Sequence, residues 1–110
     1  MAKARIQSTL ENTGIYTAYF DITQDIEAPY IVWRGSGQNQ LNTDDVQMRL
    51  GNNYEVQYYY LVKDEAAEEQ IETALIEAGF TYSKGSDMRD ADTDEFLIIY
   101  QVNGYPFLEQ

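Results

Sequence analysis

The chain of 110 residues suffices for one domain with its own core, and it contains neither cysteine nor histidine. The absence of both residues excludes disulfides, thiolate nucleophiles, Ser-His-Asp catalysis and the common zinc sites. A net charge of −12 opposes direct binding to nucleic acid and to anionic lipid, and it favours a basic protein partner or simple solubility. We expect no signal peptide and no transmembrane span, because the longest apolar run, Phe96 to Tyr100, is far too short.

The first third of the chain predicts a helix followed by two strands. Residues 2–13 favour the helix, with a partly apolar face and Gly14 as its stop. Residues 15–22 alternate between apolar and polar side chains, which predicts a strand. After a polar link, residues 29–34 predict an interior strand, because proline is tolerated at the first position of a strand.

The segment from Gly35 to Asp45 predicts a long loop, because it is polar, contains glycine and has no period. Residues 46–50 alternate and predict a short strand, and residues 51–53 predict a turn. We expect the loop to become ordered on meeting a partner.

The chain is organised around residues 54–80, which predict a strand that leads directly into a helix. Alternation places the side chains of Tyr54 to Val62 on two faces, and the period then changes from two to that of a helix. Asp64 is the predicted N-cap. Gly79 is predicted to end the helix in a Schellman motif, with Phe80 folding back on Leu75.

The C-terminal part predicts extended chain at residues 81–83, a polar connection at 85–94 and a last strand at 95–102. The predicted fold class is therefore α+β, with a mostly antiparallel sheet covered on one face by two helices. We expect a single domain over residues 1–110.

Three short motifs are candidates for catalytic or ligand sites, and each fails. Residues 90–94 resemble the opening of a calcium loop, but the required glycine and closing glutamate are absent. Asp87 and Asp90 are an acid–base pair only if a pocket brings them together. Residues 34–37 have glycine spacing without the lysine of a phosphate-binding loop. We therefore expect no enzyme activity and no cofactor.

Residues 29 to 102 carry a resemblance to a known family. The segments that carry it are Pro29-Tyr30-Ile31-Val32-Trp33, the acidic pair after the polar loop, Asn53 to Tyr59, Lys63-Asp64, Glu69 to Glu72, Ala78 to Tyr82 and Ile98 to Val102. Together they resemble the small neck proteins of tailed phages and prophages. The family is one of head–tail joining and tail-completion proteins with an α+β fold of the tail-terminator type.

The resemblance implies a non-enzymatic virion protein that joins the head to the tail or terminates the tail tube. Such proteins act as rings, often hexamers, so the expected partners are copies of the chain itself and other head or tail proteins. The expected location is the virion, with assembly in the host cytoplasm. A closed ring requires two different patches of one subunit to meet in neighbours. The expected contact residues are Gln38, Leu41, Asp44, Asp45, Tyr59, Glu68, Glu69 and Glu72.

An alternative hypothesis is an acidic inhibitor that imitates DNA and occupies a basic nucleic-acid site. Residues 64–95 contain eleven acidic and two basic residues, so −9 of the net charge lies in this span. A mimic is expected to bind a basic enzyme in a strongly salt-dependent way, whereas a ring protein is expected to bind particle components.

Overall fold

A computed structural model describes residues 5–20, 26–43 and 46–103. Within 36–43 and 46–52 the description is confined to the backbone. The elements along the chain are α1 (Arg5–Glu11), β1 (Tyr16–Tyr19), β2 (Tyr30–Thr43), β3 (Val46–Tyr60), α2 (Glu65–Glu77), β4 (Thr81–Lys84), β5 (Met88–Arg89) and β6 (Phe96–Asn103). The α+β prediction is confirmed.

All six strands form one open sheet in the order β1-β2-β3-β6-β4, with β5 also pairing with β6. β1 lies parallel to β2, and the remaining pairs are antiparallel. Because β3 occupies one edge of β6 along its whole length, β4 and β5 share the opposite edge. The sheet is mixed but mostly antiparallel, as predicted. No helix in the described part of the chain is long and apolar enough to cross a membrane.

The main core lies between the two helices and one face of the sheet. Ile6 of α1 and Leu75 of α2 are fully buried against Val56 and its neighbours in the central strands. The alternation in β3 that the sequence predicts places Tyr54, Val56, Tyr58 and Tyr60 on this face. Burying side chains of this size contributes about 1.5–3 kcal/mol each.

Both ends of α2 are formed as the sequence predicts. The Asp64 side chain accepts hydrogen bonds from the backbone N–H groups of Ala66 and Ala67, at 3.1 and 3.3 Å. At the other end, Gly79 has a φ of 92° and donates to the carbonyl oxygen of Ile76, while the N–H of Phe80 donates to Leu75 at 2.9 Å. These are the two bonds of a Schellman motif.

The predicted loop at residues 35–45 is wrong, because β2 continues to Thr43 and pairs there with Val46. The predicted turn at 51–53 is wrong as well, since β3 runs without a break through these residues. Register shifts between Gly35 and Gly37 and between Asn39 and Gln40 mark bulges in this pairing. Backbone hydrogen bonds need no apolar alternation, so the polar, glycine-containing residues 35–43 form a strand without a periodic signal. The strand predicted at 46–50 is confirmed as part of β3. Residues 44 and 45 lie outside the described residues.

The observed boundaries of several helices and strands also differ from the predicted ones. α1 spans Arg5–Glu11 within the predicted 2–13, and residues 2–4 lie outside the described part. β1 ends at Tyr19, since Phe20 turns to a φ of 70° and its N–H donates to the carbonyl of Trp33. β3 ends at Tyr60, which leaves Val62 80% exposed rather than on the buried face. The predicted polar connection at 85–94 includes β5.

Candidate interaction surfaces

The hairpin of β2 and β3 extends past the rest of the sheet. β6 pairs with β3 only from Asn53 to Tyr60, and β1 pairs with β2 only from Tyr30 to Trp33. In the described residues, 36–43 and 46–52 therefore form a ribbon of two strands, which we call the ribbon. Two expected contact residues lie in it, since Gln38 pairs with Asn52 and Leu41 with Met48. Two further expected contact residues, Asp44 and Asp45, lie outside the described residues.

A cluster of ion pairs lies beneath the first half of α2. Glu68 is only 2% exposed, although it is one of the expected contact residues. Its two carboxylate oxygens lie 2.7 Å from the Lys63 ammonium and 2.8 Å from that of Lys84. Glu68 is therefore part of the interior and offers little surface to a partner.

Glu72, a second expected contact, belongs to the same cluster. Its carboxylate accepts hydrogen bonds from Tyr100 at 3.0 Å and Tyr82 at 3.3 Å, and it lies 2.8 Å from the Lys84 ammonium. Burial tends to raise the pKa of Glu72, but the hydrogen bonds from Lys84 and Tyr100 outweigh burial and hold that pKa below its ordinary value. Of the acidic contact residues on α2, only Glu69 is exposed.

Asp87 completes the cluster by accepting hydrogen bonds from Lys63, at 2.8 Å, and from the Tyr60 hydroxyl. These bonds lower the pKa of Asp87, while burial and the bond to Asp87 raise the pKa of Tyr60 to about 12. Hydrogen bonds to Glu68 and Glu72 raise the pKa of Lys84. These shifts move the groups away from neutral pH, so the cluster neutralises charge and ties α2 to β4 instead of exchanging protons.

Asp87 and Asp90 have different hydrogen-bond partners. Asp90 belongs to a turn in which its side chain accepts from the N–H of Asp92 and its carbonyl from the N–H of Asp94. Asp94 in turn forms an ion pair with Arg89. Across the described ranges, no group of three or more acidic, histidine or cysteine residues could hold a metal ion.

The sheet face opposite the helices carries Tyr59, the remaining expected contact. Its ring stacks on that of Tyr30, with centroids 4.9 Å apart and planes inclined by 24°. A chain of hydrogen bonds leads along β3 from the Tyr59 hydroxyl to Gln57, from Gln57 to Glu55, and from Arg34 to Glu55. Tyr30, predicted from the sequence only as part of a strand, therefore belongs to this surface. Residues 30–33 are all apolar or aromatic, so the sequence gives no signal for the face on which Tyr30 lies.

A groove of about 690 Å³ separates α1 from α2. Its walls are mainly polar or small, and include Thr9, Asn12, Gln70 and Thr73. Glu69 borders it, so the exposed acidic contact residue lies at its margin.

Comparison with protein-family models finds no match, and comparison with curated proteins finds no relative.

Proposed function

We propose that the protein is a non-enzymatic, ring-forming neck subunit of a tailed phage or prophage. It joins the head to the tail or terminates the tail tube, and its fold is of the tail-terminator type. The resemblance of residues 29–102 motivates this proposal, and the α+β fold is compatible with it. The observation that carries it furthest is the ribbon, which extends a polar hairpin beyond the sheet.

Ring assembly requires two different patches on each subunit, and the molecule has distinct surfaces that could supply them. The ribbon is one, because two strands alone are marginally stable in water and gain from packing on a neighbour. The two outer edges of the sheet, formed by β1 and by β4 with β5, are others. The partners are then other copies of the chain and the adjoining head or tail proteins.

The net charge of −12 opposes association of free subunits until a template aligns them. A monomer in solution is therefore compatible with the proposal. The proposed location is the virion, with the host cytoplasm as the place of assembly.

The deciding experiment is electron microscopy of particles from a deletion strain, together with mass spectrometry of purified wild-type virions. We expect filled heads and tails that fail to join properly, and the protein in wild-type virions. Normal infectious particles without the protein in both measurements would rule the proposal out.

A ribbon-shortened variant makes the test specific. Replacing residues 38–52 by Asn-Gly joins Gly37 to Asn53 through a two-residue turn and leaves the helix-side core intact. We expect this variant to fold but not to restore particle assembly in the deletion strain. Glu77→Gln, at an exposed position of α2 that is not among the expected contact residues, is the matched control and should restore it.

The DNA-mimic alternative has less structural support. Glu68, Glu72 and Asp87 are each bonded to lysines within the fold, so they contribute little to an acidic surface. Tight, salt-sensitive binding to a basic nuclease, with normal virions in the deletion strain, would favour the mimic instead.

A further inference from the structure

Five side chains form one row across the sheet face opposite the helices, which we call the open face. Cross-strand pairing connects Tyr16 to Tyr30, Tyr30 to Tyr59, Tyr59 to Leu97 and Leu97 to Met88. Residues paired in this way point to the same face, so the row crosses five strands. It is apolar or aromatic throughout, and its outer members, Tyr16 and Met88, are 39% and 43% exposed.

The adjacent row on this face is also mainly apolar. It contains Ala18, Val32, Gln57 and Ile99, paired in register across four strands. Val32 is 8% exposed, yet it lies outside the core that the helices cover. Both described helices pack on the opposite face. The two rows therefore form a mainly apolar face, interrupted by Gln57, that neither helix covers.

The polar atoms of the two central tyrosines are already bonded. The Tyr30 hydroxyl donates to Glu95 at 2.7 Å, and the Tyr59 hydroxyl donates to Gln57 at 2.9 Å. A covering partner would bury two aromatic rings without leaving their hydroxyl groups unsatisfied. This arrangement suits a protein contact.

The rim of this surface is acidic. Burial raises the pKa of Tyr59, the negative charges of Asp90, Glu95 and Glu55 raise it further, and the positive charge of Arg34, which is paired with Glu55, lowers it. Among the described residues, no lysine or arginine forms an ion pair with Asp90 or Glu95. A partner that covers the tyrosines should therefore supply positive charge, which also interacts favourably with aromatic rings.

A second copy of the chain is poorly suited to supply that charge. The five lysines and arginines whose side chains are described already contact a carboxylate, a backbone carbonyl or a ring: Arg5, Arg34, Lys63, Lys84 and Arg89. Two acidic subunits would also repel each other at this face. The described cations and the net charge both favour a different protein as the partner.

We propose that the open face docks an apolar segment of another protein that places a lysine or arginine over the Tyr30–Tyr59 stack, between Asp90 and Glu95. Only the identity of this partner, as a head or tail protein, rests on the proposed function. The contact itself can be tested with the purified chain and does not depend on the proposed function.

The test uses the full chain and two probes, the peptides acetyl-(Arg-Leu)4-amide and acetyl-(Glu-Leu)4-amide. We expect the basic peptide to shift the NMR amide signals of β2, β3 and β6 along the open face, and the acidic peptide to shift none. Tyr59→Ser and Glu95→Gln should each weaken binding about tenfold, which corresponds to about 1.4 kcal/mol. The glutamine side chain retains an oxygen that can accept from Tyr30, so the Glu95→Gln variant removes charge with little change in shape.

Two control variants distinguish binding at the open face from nonspecific attraction of the basic peptide to an acidic protein. Tyr59→Phe keeps the ring and should bind the basic peptide within about twofold of wild type. Glu69→Gln removes one exposed charge from α2 and should have an equally small effect. Equal weakening by Glu69→Gln and Glu95→Gln, shifts confined to α2, or equal binding of the acidic peptide would each overturn the proposal.

Self-association is the other informative outcome. Concentration-dependent dimers in sedimentation that Tyr59→Ser abolishes, without peptide-induced shifts at the open face, would assign the face to a second copy and overturn the proposal. Because neither measurement involves virions, failure here is distinguishable from failure of the deletion-strain experiment.

Discussion

The Glu68 carboxylate lies 2.8 Å from the Lys84 ammonium, joining the first turn of α2 to the end of β4 across 16 positions of sequence. Glu68 is 2% exposed, whereas the Lys84 side chain keeps 36% of its surface in water. An acid buried to this degree depends on its cations, because an uncompensated buried charge is strongly destabilising. The pair therefore belongs to the stability of the fold.

Lys84→Met should lower the free energy of unfolding by about 1–3 kcal/mol, the range for losing hydrogen bonds to charged groups. The methionine retains much of the apolar stem, so the loss is mainly that of the bonds to Glu68 and Glu72. Urea denaturation followed by circular dichroism measures the change. Glu69→Gln, on the exposed side of α2, should stay within about 0.5 kcal/mol. A Lys84→Met midpoint equal to wild type would contradict a stabilising role.

Stability should fall on acidification. The folded-state pKa values of Glu72 and Asp87 lie below their ordinary values of 4.5 and 3.8. The two ionised carboxylates therefore contribute their full stabilisation to the fold when the pH is above their ordinary pKa values. This stabilisation is lost as the pH falls through their lower folded-state pKa values. Denaturant midpoints between pH 7 and pH 2 should decline more steeply for wild type than for a Glu72→Gln variant. Parallel declines would show that Glu72 is not involved.

Local signals explain why α2 could be predicted from the sequence. Asp64 and Gly79 act on neighbouring backbone groups, so both helix ends are visible without knowledge of the tertiary fold. Alternation at residues 46–50 predicts part of one strand of the ribbon, but its partner at residues 36–43 could not be predicted, because those residues are mainly polar and have no period. The Glu68–Lys84 pair and the row from Tyr16 to Met88 depend on which strands become neighbours, and no local pattern specifies that.

Leu75→Ala should destabilise the protein by about 2–5 kcal/mol, the range for truncating a buried leucine. Leu75 is fully buried, and its carbonyl oxygen accepts the Phe80 N–H that ends α2. The control is the next residue, Ile76→Ala, which is 58% exposed and should change stability far less. Denaturant midpoints of both variants provide the comparison, and a wild-type midpoint for Leu75→Ala would contradict its place in the core.

The acidic turn at residues 90–94 should not bind calcium specifically. Asp90 and Asp94 are held by bonds within the turn and to Arg89, and the glycine and closing glutamate of a calcium loop are absent. Isothermal calorimetry at physiological salt should show no stoichiometric binding in the micromolar range. Such binding, abolished by Asp90→Asn, would refute this prediction.

We expect any side chain at Gly85 to destabilise the protein, because Gly85 follows β4 at a point where its backbone lies close to that of β6. Its N–H donates to the carbonyl oxygen of Ile99 at 2.8 Å, and a Cβ atom added there would lie 2.8 Å from that same oxygen. The obstacle is backbone, so it cannot rotate away as a flexible side chain would. Gly85→Ala should therefore cost about 1–3 kcal/mol, the range for overpacking.

Gly35→Ala is the matched control, since a Cβ atom at Gly35 would meet nothing within 4 Å. Hydrogen exchange adds a local measurement: Gly85→Ala should speed exchange at residue 85 and along β4, where the strand depends on its pairing with β6. Equal stability of the two alanine variants would show that the chain can move away from Ile99 at little cost. Greater loss in Gly85→Ala, with exchange changed first at β4, would locate the cost at this close approach.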